Sequence, residues 1–337
     1  MTTVSTDVSL LAMPVATTST TPSFTPQSLE RWLAEVLPDS GAVESEPPLE
    51  LMNAEPPRLS QAAILEGREL RAKAVDGAPV VAFGAFLDGR QASETKRYLS
   101  GGVPIVLGTV GAAIRERRDR RLFTWEHRIE RALYVSRAHV SEGTWNALRS
   151  APMAVRDTSA GEDSPLEHPL ALREAALQRV QHARERVEES LAKRWCENEA
   201  RPLLVDGGIS GTESVARSSL AVGVVKSHRM LYARGDGLAT VLGLEDRERS
   251  SVFVVASEKR EHVASWYLRI HESTGHDPLW GLVRVEIAMQ QHDIGARADE
   301  VSRWILAEVQ PVALPDSRWD KMVYGVRDCE EFLRAVM

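Results

Sequence analysis

Cysteine is scarce. Cys196 and Cys329 are the two present in 337 residues, far apart and outside any Cys-x-x-Cys or Cys/His spacing, which excludes a disulfide framework and a structural zinc site and points to a reducing compartment. Net positive charge is also lacking. The formal charge of -7 argues against a protein that coats nucleic acid through a broad basic surface, although an enzyme that holds divalent cations on carboxylates can be acidic overall and carry a local basic track. No run approaches the roughly 18 apolar residues needed to cross a bilayer, and the mildly apolar stretch at 8–16 follows Asp7 with no basic region before it, unlike a signal peptide. A cytoplasmic chain without a membrane anchor is expected. Absent too are a Walker A loop, a Gly-x-Gly-x-x-Gly cofactor loop and a Gly-x-Ser-x-Gly elbow, so intrinsic ATP hydrolysis, dinucleotide chemistry and ester hydrolysis by a serine nucleophile all lose their usual signatures.

What is present is a normal globular composition, 43% hydrophobic and 26% charged, with enough apolar residues for a sizeable core. The reading divides the chain at residue 58. Residues 1–58 combine a Ser/Thr/Pro-rich flexible tail, a short amphipathic helix opened by Pro26 and an acidic, Pro-containing linker. Residues 59–337 form the folded domain. Within it, 60–75 suits a helix, 80–87 (VVAFGAFL) a short buried strand ending in an Asp88-Gly89 turn, and 103–108 another strand. Residues 172–195 have a long helical period, 202–208 form a strand ending at Asp206-Gly207, four more strands fall in 220–287, and a final helix covers 298–308. Several strands in succession with flanking helices predict an α/β fold with a mixed sheet.

The candidate chemistry lies in carboxylates. An apolar strand delivers its last residue to a fixed place at the sheet rim, so Asp88 and Asp206 can meet over one cation. The ordinary alternative for either site is a plain Asp-Gly turn, as at Asp76-Gly77. Glu188 and Glu189, in ARERVEESLAKRW, lie on the helix that runs into the Asp206 strand, where glutamates usually just face solvent. Three or four carboxylates suit hard ions such as Mg²⁺ or Mn²⁺, and two such ions can hydrolyse a phosphodiester.

Two stretches, LLVDGG at 203–208 and AVGVVKSHRMLYA at 221–233, resemble the NurA family of DNA-end-processing nucleases, in which a central Asp-Gly strand leads into a hairpin of Gly-Val-Val-Lys-Ser type. The similarity spans roughly residues 75–335. It implies an RNase H-like mixed β-sheet flanked by helices and a metal-dependent deoxyribonuclease. By that comparison Asp88 is similar to the first metal-binding aspartate, Asp206 to the central one, and Glu188 or Glu189 to the helix glutamate. Asp299, after Ala298, stands where the family's last ligand, a histidine, opens the C-terminal helix. The sequence departs from the family in carrying Arg90 where a Ser usually follows Asp-Gly, and Gly207-Gly208 where some members have a further acidic residue. The resemblance also implies a homodimer that works with a HerA-type hexameric ATPase in DNA end processing or phage defence.

Contacts to DNA are expected from Lys226, which can also stabilise charge in catalysis, from His228, and from Arg115, Arg117, Arg118 and Arg121 in the densest basic run. The ordinary alternative for that run is a solvated helix face paired with Glu116 and Asp119. Trp266, Tyr267, Trp280, Trp304 and Trp319 can stack on unpaired bases, but core packing is the stronger expectation for most. A reading from another class is a catalytically weak RNase H-like adaptor that binds DNA and caps a motor.

Overall fold

A computed structural model describes residues 26–42, 56–119, 121–159, 168–257, 260–289, 293–309 and 323–337. Of the tail expected over 1–27, residues 1–25 lie outside the described residues, as do most of the linker, Arg120 and Trp319. Helix α1 (Pro26–Val36) starts at its proline and buries Leu29 and Leu33, one turn apart. Strand β1 (Gly41–Ala42) follows and pairs with the far end of β5 (Ala85–Leu99). Between them lie β2 (Arg58–Leu59), β3 (Ala63–Ile64) and β4 (Ala72–Ala74). The helix expected over 60–75 is therefore replaced by short strands. Gly67 is left-handed at φ 82°, and the Leu65 and Glu66 N–H groups both donate to the Val252 carbonyl, so tertiary pairing overrides local helix preference.

Strand β5 does not stop at Asp88-Gly89. Asp88 pairs with Ala113 and Gly89 with Ala112 inside a ladder whose register shifts only between Thr95 and Arg97, and the chain turns at 100–102, where Gly101 and Gly102 take positive φ. Strand β6 (Val103–Arg118) and β7 (Arg121–Val135) complete an antiparallel meander. The arginine-dense run is thus strand rather than helix face. Helix α2 (Glu142–Arg149) and β8 (Ala154–Asp157), which pairs parallel to β7, close that side.

Helix α3 (Pro169–Asn198) lays Val180, Ala183, Val187, Leu191 and Trp195 on the sheet, as the period predicts. Strand β9 (Leu203–Asp206) follows, then α4 (Glu213–Ala216) and β10 (Ala221–Val225). β10 runs parallel to β9, so the expected hairpin after Asp206 is a crossover through α4. Parallel neighbours cannot be joined by a tight turn. The rest is β11 (Met230–Leu231), α5 (Asp236–Leu242), β12 (Glu248–Ser250), β13 (Phe253–Ser257), β14 (Arg260–Arg269), β15 (Leu282–Ala288), α6 (Ile294–Glu308) and α7 (Tyr324–Val336).

The large mixed sheet has the order β3-β13-β14-β15-β10-β9-β5-β6-β7-β8, with helices on both faces. One core lies between the sheet and α3, a second beneath α6 and α7, and a third at the α1 end. Trp266, Tyr267 and Trp304 are core residues, in line with the expectation, whereas Trp280 stacks on His276.

Candidate active site

β9 is central to the site because it is parallel to both neighbours. Leu87 pairs with Val205 and Val224 with Asp206, so Asp88 and Asp206, each the next residue after the Leu87–Val205 rung, stand level on adjacent strands and share one face. That face is the one of Phe86 and Leu204, turned towards α7. Lys226 follows β10 on the same face, and its Nζ lies 2.7 Å from Asp206 Oδ1.

The environment of Asp88 is hostile to a charge. Its side chain is 7% exposed, and among the described residues its carboxylate accepts a hydrogen bond only from the following Gly89 N–H, at 2.7 Å. Burial, with the Asp206 charge beside it, pushes Asp88 up to about 8 against the downward pull of Lys226. The buried Asp88 and the half-buried Asp206 face one lysine, so ionising both carboxylates would leave an excess of negative charge that a divalent cation would offset.

Glu188 reaches the same strand from the other side. It extends from α3 onto Gly89, where an added Cβ would collide with its carboxylate. Because side chains alternate along β5, Glu188 and Asp88 lie on opposite faces of the sheet. Burial pushes Glu188 up to about 7, with its ion-pair partner Arg184 opposing the shift. Glu189 is adjacent on the helix, and its carboxylate fills the space a Cβ on Gly211 would need. The glycine of the first Asp-Gly motif therefore serves a close approach rather than a turn. Gly89→Ala is expected to destabilise the chain by about 1–3 kcal/mol in urea denaturation, with Glu188→Ala in the same chain recovering most of the loss; additive penalties would refute the contact.

The other expected residues are placed elsewhere. Asp299 lies in the second turn of α6 and pairs with Arg249 Nε at 2.5 Å, and Arg249, 1% exposed, also holds Glu66 at 2.7 Å. It is not brought to Asp88 and Asp206. Arg115 is bound to Asp328 and Thr124, and Arg117 is bidentate on Glu308 at 2.8 and 2.6 Å. Arg118 pairs with Glu116 at 2.5 Å. Internal ion pairs thus consume the basic run, because strand alternation points Arg115 and Arg117 at the α6 and α7 layer, and Arg121 alone is exposed without an ion pair among the described residues. His228 is tied through Nε2 to the Leu282 carbonyl at 2.7 Å, so that nitrogen does not face solvent.

Asp88, Asp206 and Glu188 offer oxygen donors alone, the set that hard ions prefer. Among the described residues no three His, Cys, Asp or Glu side chains converge closely enough to form a metal site; Lys226 engages Asp206 and Arg184 engages Glu188. The sequence reading missed Glu286, which lies under the turn after Asp206. Its signal was available as Arg284 and Glu286 two apart in an otherwise apolar strand, LVRVEIA.

No protein-family model matches the chain, and no curated protein matches it in sequence. Among solved structures it is similar to the NurA nuclease from Sulfolobus solfataricus, at 10% identity over 77% of this chain and 81% of that one, with a TM-score of 0.44.

Proposed function

We propose that the chain is an RNase H-like, metal-dependent deoxyribonuclease that hydrolyses phosphodiesters at DNA ends or in single strands. The observation that carries the reading is the juxtaposition of Asp88 and Asp206 on adjacent parallel strands, with Asp88 desolvated and Asp206 paired to Lys226. The strand order supports it as well: a meander β5-β6-β7, then α3, then β9 and β10 on the far side of β5, with β9 parallel to both β5 and β10. Asp88 and Asp206 would hold Mg²⁺ or Mn²⁺, with Glu188 or Glu189 reaching the rim from α3. Such ions supply Lewis-acid stabilisation of the phosphodiester and orient the attack of water. Lys226 neutralises charge beside Asp206 and is placed to contact a phosphate. The sequence resemblance extends the reading to a homodimer fed with DNA by a HerA-type hexameric ATPase, in end resection or phage defence.

A second reading, a catalytically weak DNA-binding adaptor, is favoured by one observation: Glu188 lies across the sheet from Asp88 while Asp299 is held by Arg249. Digestion of end-labelled single-stranded and duplex DNA with Mn²⁺, Mg²⁺ or EDTA, with and without a HerA-type ATPase, separates the two. Cleavage that requires the metal and drops on the order of a thousandfold in Asp206→Ala is expected of the nuclease. DNA binding without cleavage under any of these conditions is expected of the adaptor.

A further inference from the structure

Glu286 is a buried charge that the nuclease reading leaves without a task. It sits in β15, 1% exposed, opposite Ser265 of β14 and Gly223 of β10. Arg284 Nη1 donates to Glu286 Oε1 at 2.5 Å and to Ser265 Oγ at 3.3 Å, and the Arg284 guanidinium lies 5.3 Å from the Tyr232 ring centroid. The other carboxylate oxygen, Oε2, accepts a buried hydrogen bond from the Ile209 N–H at 2.8 Å. Ile209 is the third residue after Asp206. Between them, Gly207 takes φ 137° and donates to the Val224 carbonyl at 3.0 Å. Gly208 presses on the same carboxylate, where an added Cβ would lie 2.9 Å from Oε2.

A buried carboxylate costs several kcal/mol unless it is paired and hydrogen-bonded. This one is both, and its free oxygen is spent on a single backbone N–H in the turn that ends β9. We propose that Glu286 is a positioning residue for Asp206. Its charge-assisted hydrogen bond fixes the 207–209 turn, and with it the direction in which the Asp206 carboxylate leaves the rim. Arg284 orients the acceptor through its hydrogen bond to Oε1. The anchoring follows from the geometry, while its consequence for metal use rests on the nuclease reading.

Two measurements on Glu286→Gln test this. Amide hydrogen exchange at Ile209 is expected to quicken by about tenfold or more while thermal unfolding stays cooperative. The Mn²⁺ concentration for half-maximal DNA cleavage is expected to rise about 10–100-fold, a shift that loss of folded protein alone would not produce. Unchanged exchange at Ile209 overturns the proposal, as does faster exchange with the Mn²⁺ dependence of the wild type. A wild type that cleaves no DNA sinks the nuclease reading instead, and exchange at Ile209 then decides the anchoring alone. Should Glu286→Gln fail to fold, the apolar pair Arg284→Met/Glu286→Leu removes the acceptor without stranding a charge, with the same outcomes expected.

Discussion

Asp88→Asn is expected to lose metal-dependent DNA cleavage by on the order of a thousandfold and, at the same time, to make the protein more stable. The two effects share one cause. The Asp88 carboxylate is buried beside Asp206 and raised to about 8, and each unit of such a shift is about 1.4 kcal/mol held against the ionised form. An amide of the same shape removes the charge and, on the proposed reading, the metal ligand together. A gain of about 1–3 kcal/mol near neutral pH is expected, below the full shift because asparagine also loses hydration on burial. Urea denaturation beside the cleavage assay checks both halves. A variant that is inactive and also less stable would mean that Asp88 is paired in a way the carboxylate geometry does not contain.

The second large effect concerns pH and divalent cations. Asp88 is raised from 3.8 to about 8 and Glu188 from 4.5 to about 7, in both cases chiefly by burial. Between about pH 4 and 8 the folded chain therefore keeps protons that the unfolded chain has released. The contribution of these two groups to stability falls as pH rises through that window, opposite to the behaviour of carboxylates held ionised by salt bridges such as Glu66. On the proposed nuclease reading, a bound divalent cation would take the place of those protons. Mn²⁺ or Mg²⁺ is thus expected to stabilise the protein little at pH 5 and most at pH 8, by about 2.7 kcal/mol at a hundredfold excess over its dissociation constant. Thermal melts at pH 5, 6.5 and 8, in EDTA and in each metal, measure this directly. A melting temperature that climbs from pH 5 to 8 in EDTA and ignores both metals would remove the physical basis of the cation site.

The legible parts of this chain were those in which one periodicity ran undisturbed. The 3.6-residue stripe from Leu172 to Trp195 gave α3, and the runs before Asp206 and after Leu220 gave β9 and β10. Where local pattern met a distant partner, the partner won. Residues 60–75 have helix-compatible composition, but Arg249 claims Glu66 and Val252 claims the backbone beside it. Asp88-Gly89 has the composition of a turn, yet the glycine makes room for Glu188 and the strand continues for ten residues beyond it. Asp88 and Asp206 do come together, but not as two strand ends: Asp88 lies near the start of β5 and meets Asp206 because β9 runs parallel beside it in that register. The face each carboxylate occupies was not readable, since that depends on register, and one residue of slip reverses it. Helix α7 escaped notice altogether, though it covers the face on which Asp88 lies and its Cys329 thiol donates to the Phe86 carbonyl at 3.3 Å.

The length of β5 has a mechanical meaning. Its ladder with β6 runs from the Ala85–Glu116 rung to the Leu99–Val103 rung, and Arg97, which donates to the Ser40 carbonyl beside α1, stands about 30 Å along the strand from Asp88. A pull on the N-terminal helix is therefore carried as shear through many rungs in parallel, not as unzipping from one end. Force entering at that end is spread along the ribbon before it reaches the carboxylates, which stand where β9 grips β5 from the opposite edge.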